Sequence, residues 1–187
     1  MTINWLTLEQ AQRQLEPDHY AHLAGNGSLT RRVRNACSGE FSVQLIQHTI
    51  IKAEPLERQI LNLADTTDVI SRQVFLCCDQ HRKIYAHTLV GLTESNRSLT
   101  GRIQALGAQS LGSLLFRDPL ARKIRMHLAL ISGTDVFFKN AGLSKRQQGN
   151  EFWVRRNLYE YEGCELIVYE AYIDFLLRPA SPGAVRG

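Results

Sequence analysis

The sequence has no apolar run of membrane-spanning length. Its best candidate, Leu166 to Leu177, is interrupted by Glu170 and Asp174, whereas a span needs roughly 18 or more residues with few or no charges. The first fifteen residues lack a cationic head followed by an apolar stretch, so no secretory leader is expected. Cysteine is scarce. Cys37, Cys77, Cys78 and Cys164 make no CxxC and no Cys/His spacing of zinc type. Taken alone they read as free thiols of a reducing compartment, which fits a cytoplasmic location. Nucleotide cradles have no motif support, since neither GxGxxG nor a Walker loop occurs, and GxSxG is missing too. Internal repeats and low-complexity segments are likewise lacking. Lysine is the last scarcity, with 5 against 17 arginines, although the net charge is only +4.

What is present describes one globular domain. Apolar residues make up 44% of the 187 and charged residues 21%, enough to bury a core. Leu6 to Leu23 reads as one or two short helices broken at Pro17, and Gly25-Asn26-Gly27-Ser28 as a turn. Phe41 to Ile51 alternates like a strand. Val69 to Cys78 and Lys83 to Leu92 form a hairpin around Asp79-Gln80-His81-Arg82. A short helix over Leu99 to Leu106 ends at Gly107, and Lys123 to Ile131 is a strand with Arg125 and His127 on one face. Ser132 to Asn150 reads as a mobile polar loop. Glu151 to Tyr161 and Glu165 to Leu177 form a second hairpin around Glu162-Gly163-Cys164, and residues 178–187 read as a frayed tail. Consecutive hairpins with a few helices give an α+β domain around one antiparallel sheet.

The arginine excess suits either phosphate or carboxylate, because a planar guanidinium grips both in two-point contact. For Arg31-Arg32-Arg34, no helix-turn-helix, zinc or RNA-binding signature is present, so a solvated turn is the simpler reading and no nucleic acid is expected. His19 and His22, the one tight histidine pair, read as surface residues and no metal is expected. Arg72 and Glu170 are different, because each interrupts an apolar strand. Arg72 shares a face with Val74 and Leu76, and Glu170 with Leu166, Val168 and Tyr172. A charge facing a core is costly unless paired or met by a ligand. The two could pair with each other or snorkel to an edge, or they could line a pocket where Arg72 fixes a carboxylate and Glu170 handles a proton or hydroxyl. Leu111-Gly112 could bring backbone N–H groups to the same anion. Arg155 and Arg156 must point to opposite faces, which leaves one of them exposed.

With these residues in view, the chain resembles the chorismate pyruvate-lyases, or 4-hydroxybenzoate synthases, over roughly residues 25–177. The matching pieces are Gly27-Ser28-Leu29-Thr30-Arg31-Arg32, Arg72-Gln73-Val74-Phe75-Leu76-Cys77, Leu111-Gly112 with Leu115-Phe116, Arg155-Arg156, and Val168-Tyr169-Glu170. The resemblance implies a sheet of about six strands with helices around a buried pocket. It implies cleavage of chorismate to 4-hydroxybenzoate and pyruvate without cofactor or metal, serving quinone or secondary metabolism. It also implies that Arg72 and the Leu111 backbone bind the ring carboxylate, while Glu170 and the Leu29 backbone lie near the ring hydroxyl. Arg155 or Arg156 is then a candidate for the second carboxylate. Departures from the family pattern are Ala171-Tyr172-Ile173-Asp174 after Glu170 and Gly163-Cys164-Glu165-Leu166 at the last turn. A second reading keeps the fold but not the reaction: a non-catalytic sensor of aromatic acids, since the fold also resembles effector domains of bacterial transcription regulators. Residues 1–24 are too few for the DNA-binding domain such regulators carry.

Overall fold

In the computed structural model, residues 3–115 and 121–174 are described. The chain opens with β1 (Leu6–Thr7), α1 (Leu8–Gln14) and α2 (Pro17–Ala24). Thr7 and Gln10 close a capping box on α1, and Pro17 supplies the preset φ of a first helical position for α2. Then come α3 (Leu29–Ala36), β2 (Phe41–Lys52), α4 (Pro55–Ile60) and the hairpin of β3 (Asp68–Cys78) and β4 (His81–Gly91). Next are α5 (Arg97–Ala105), α6 (Gly112–Leu115) and β5 (Ala121–Ser132). A 3-10 turn, Val136–Phe138, and α7 (Lys145–Gln148) lead to the hairpin of β6 (Glu151–Tyr161) and β7 (Cys164–Tyr172). The segment 175–177 of the expected last strand, the tail and Phe116 lie outside the described residues.

All strands pair antiparallel in the order β1-β5-β6-β7-β4-β3-β2. The seventh strand beyond the expected six is β1, whose two residues pair with His127 and Leu128 and carry no readable periodicity. Both hairpins turn on residues with positive φ, Asp79 and Gln80 in the first, Glu162 and Gly163 in the second, as two-residue turns require.

Parity divides the sheet. One face carries Ile70, Arg72, Val74 and Leu76 of β3. Helices α1, α2 and α3 cover one end of this face through a cluster containing Leu23, Leu29, Val33, Leu128 and Tyr172. Helices α5 and α6 cover the other end through Leu99, Ile103, Leu114, Leu166 and Val168. The reverse face carries Val69, Phe75 and Cys77 and packs on Phe138, Ala141, Leu143 and Phe152.

Three expectations fail here. Residues 29–36, read as the end of a turn with exposed arginines, form a helix capped by the Ser28 hydroxyl, which accepts from the Arg31 N–H; the arginines mask its buried stripe, Leu29 and Val33. Ser132 to Asn150 is a packed cover of the reverse face rather than a loose loop, because Phe138, Ala141 and Leu143 bury there. Finally, Cys37 and Cys78 are not free thiols. Cys37 ends α3 and Cys78 ends β3, and they form a disulfide with Cα atoms 5.6 Å apart. The Asp79 N–H donates to the Glu40 carbonyl at 2.9 Å, and the Glu40 N–H donates to the Asp79 carboxylate at 2.8 Å, holding the segments together. The cysteines are 41 residues apart in sequence, and pairing over such a distance cannot be deduced from spacing. The cysteine argument for a reducing compartment falls with this bond. Among the described residues, no helix is long and apolar enough to cross a membrane.

Candidate active site

The two helical covers of the first face meet over a partly enclosed cavity with an empty volume of about 470 Å³, mouth included. Arg72, Glu170, Leu29, Leu111 and Gly112 all line it, together with Thr30, Thr88, Tyr159 and Val168. The cover closes where α3 begins against α6. A Cβ on Gly112 would sit 3.0 Å from the Thr30 hydroxyl and 3.2 Å from that of Ser28, so a glycine lets the two segments touch.

Arg72 is 1% exposed. Its Nη2 donates to the Gly107 carbonyl at 2.9 Å and the Gln109 carbonyl at 2.6 Å, tying β3 to the loop before α6. Its Nε is buried with no hydrogen-bond partner among the described residues. Burial lowers its pKa from the ordinary value, though an arginine stays charged. Glu170 does not pair with Arg72. Its Oε2 accepts from Nε of Arg155 and, at 2.8 Å, from Nδ2 of Asn157. Strand register explains this, since Arg155 lies directly opposite Glu170 and Asn157 sits two residues on, on the same face. Burial disfavours the Arg155 charge, but the Glu170 carboxylate outweighs it and the pKa is raised. Arg155 Nη1 also donates to the Gly25 carbonyl at 3.2 Å, which fixes the turn between α2 and α3.

Arg156 points away. It pairs in register with His127 and Tyr169 on the reverse face and stacks 4.3 Å from the Trp5 ring centroid. With Arg125, His127 and Ile60 it borders a separate space of about 260 Å³. Neither arginine is exposed as parity alone suggested, because both faces are covered; Arg155 is 0% and Arg156 8% exposed. The structure therefore brings together Arg72, Glu170, Leu29, Leu111 and Gly112, sets Arg155 behind Glu170, and excludes Arg156. Asn157 escaped the sequence reading, although its parity with Arg155 was a usable signal. Among the described residues, no group of three His, Cys, Asp or Glu could hold a metal ion.

A buried arginine and a separately held carboxylate thus face one cavity. The model of the family described as chorismate lyase matches residues 2–177. The chain belongs to the chorismate lyase family. It is 28% identical over 173 residues to a probable chorismate pyruvate-lyase of Nitrosospira multiformis, covering 91% of this chain and 94% of that one. It is 30% identical over 185 residues to one of Shewanella amazonensis, covering 95% and 93%. Among solved structures, similarity extends to the ligand-binding domain of a GntR-family transcriptional regulator from Bordetella bronchiseptica, with a TM-score of 0.53, 13% identity, and coverage of 72% of this chain and 85% of that one. The effector domain of PhnF from Mycobacterium smegmatis gives 0.53 at 14% identity, covering 79% and 89%. These structural likenesses show a shared fold.

Proposed function

We propose that this member of the chorismate lyase family converts chorismate to 4-hydroxybenzoate and pyruvate at the cavity holding Arg72 and Glu170. The observation that carries the reading is that the two charges stay apart. Arg72 on β3 and Glu170 on β7 are separated by two strand spacings, about 10 Å, and by two residues along the strand, about 7 Å, and each is anchored by other groups. Side chains reaching inward from such positions address opposite ends of one six-membered ring.

Arg72 fixes the ring carboxylate, with the backbone at Leu111 and Gly112 beside it. Glu170 faces the hydroxyl-bearing carbon, with Leu29 across the cavity. Arg155 and Asn157 set the Glu170 carboxylate in one orientation. In the reaction, the ether C–O bond to the ring breaks and the neighbouring ring carbon loses a proton. The ring becomes aromatic, and the enolate released takes one proton on its methylene carbon to become pyruvate. Atoms balance with no external oxidant or reductant. Glu170 relays the ring proton, and the cations around the cavity stabilise the charge developing on the departing enolpyruvate. The 4-hydroxybenzoate product serves quinone or secondary metabolism.

The sensor reading draws on the regulator domains of the same fold. Incubating the purified protein with chorismate and following both products separates the two. Equal amounts of pyruvate and 4-hydroxybenzoate are expected. A raised melting temperature with chorismate but no product would favour the sensor.

A further inference from the structure

Lys123 belongs on the wrong face by simple alternation. Counted along β5, it should side with Arg125 and His127, away from the cavity. The ladder slips between Lys123 and Arg125, however, so that Ile124 bulges. Lys123 lies opposite Tyr159, Met126 opposite Asn157 and Leu128 opposite Arg155, so all three share the cavity face. One inserted residue turns a lysine inward.

Two side-chain nitrogens of the cavity face, Nζ of Lys123 and Nη2 of Arg155, are buried without a hydrogen-bond partner among the described residues; both lie behind the residues that line the cavity itself. The Lys123 ammonium sits 5.7 Å from the ring centroid of Tyr159, a wall of the cavity. Glu170, the carboxylate of the site, is already bonded by Arg155 and Asn157. Buried donors of positive charge with no acceptor are costly unless a ligand supplies one. Charge counting says which ligand. Arg72, Arg155 and Lys123 give three positive charges, Glu170 one negative, and the remainder of two matches a dicarboxylate.

We propose that Lys123, with Nη2 of Arg155, receives the second carboxylate of the substrate, the one on the group that departs as pyruvate, and so selects dicarboxylates over monocarboxylates. This rests on the lyase reading for the identity of the substrate, while its geometry rests on the bulge. Burial first, and Arg155 second, push the Lys123 ammonium down to about 8, with Glu170 opposing. The groups facing it are Tyr159 and Arg155 from β6 and Glu170 from β7. The empty site therefore begins to lose this charge in mildly alkaline solution, and binding of the carboxylate restores it.

The test compares Lys123→Met and Lys123→Arg with the wild type, using chorismate as the dicarboxylate and 4-hydroxybenzoate as the monocarboxylate. For Lys123→Met, kcat/KM for chorismate should fall about 30- to 100-fold, while the Kd of 4-hydroxybenzoate by calorimetry stays within about threefold. Lys123→Arg should recover most of the loss. It should also remove the decline in kcat/KM expected of the wild type as pH rises through about 8, because an arginine stays charged there. Equal weakening of both ligands, or an unchanged kcat/KM in Lys123→Met, would overturn the proposal. If the wild type binds chorismate but releases no pyruvate, the lyase reading fails and the Kd for chorismate in Lys123→Met decides this proposal alone. A wild type without affinity for chorismate overturns both.

Discussion

The two faces of the sheet bury polar side chains differently. On the reverse face most of them satisfy one another, Nη1 of Arg156 being a buried exception among the described residues. The Tyr85 hydroxyl donates to Gln73 at 3.0 Å, Ser71 and His87 share a hydrogen bond of 2.8 Å, and Tyr169 donates to Glu57 at 3.3 Å. Aromatic rings fill the space between, with Phe137 meeting both Tyr85 and Tyr169 edge-on. On the cavity face, Arg72, Arg155 and Lys123 each keep a buried nitrogen without a hydrogen-bond partner among the described residues, and Arg72 lines the cavity itself. A buried network is stabilising when it is closed. One left open at its centre is arranged for something that arrives later. The same strands β3 and β6 supply both faces, so parity alone separates structure from function.

The largest expected effect breaks the cavity face. Arg72→Ala should cut turnover of chorismate at least about a hundredfold and weaken 4-hydroxybenzoate binding by a similar factor, measured by product formation and calorimetry. Next comes the ion pair beneath it. Arg155→Met leaves Glu170 without its counter-charge, so unfolding by urea should show a loss of about 3–5 kcal/mol. The double variant with Glu170→Gln should recover much of that stability but none of the activity. On the reverse face the effect is one of pH. Burial lowers the His87 pKa from 6.5 to about 4, so the unfolded chain takes up this proton first as pH falls. Stability from this group is complete above pH 6.5 and declines between 6.5 and 4, by about 3 kcal/mol at most. His87→Gln should flatten that part of the stability profile without changing turnover. Removing the link between α3 and β3 by Cys37→Ser should cost about 2–4 kcal/mol, read as a lower melting temperature under oxidising conditions and no change under reducing ones.

Much of the fold was legible in the sequence where local physics decides. Apolar runs around turn residues marked both hairpins, and the two-residue period of their strands was enough to put Arg72 and Glu170 on a buried face. What stayed hidden depends on partners far along the chain. That Glu170 is held by Arg155 and Asn157, rather than by Arg72, follows from the β6–β7 register. Covered surfaces on both sides made Arg156 a buried residue, and no alternation rule reports what packs on a sheet from outside. The bulge at Ile124 turns Lys123 to the face opposite the one simple alternation assigns, because a single inserted residue changes parity without changing composition. Residues 29–36 hid a helix behind their arginines, since only Leu29 and Val33 mark the buried stripe.

The contrast between the two faces is tested most directly by kcat/KM for chorismate in Arg72→Ala and Arg156→Leu, made side by side. The two residues are both buried arginines, one facing the cavity and one the rings of the reverse face. Arg72→Ala should lose at least about a hundredfold, and Arg156→Leu should stay within about threefold of the wild type while losing some stability. Equal losses in both, or activity surviving in Arg72→Ala, would contradict the division of the sheet into a reactive and a structural face.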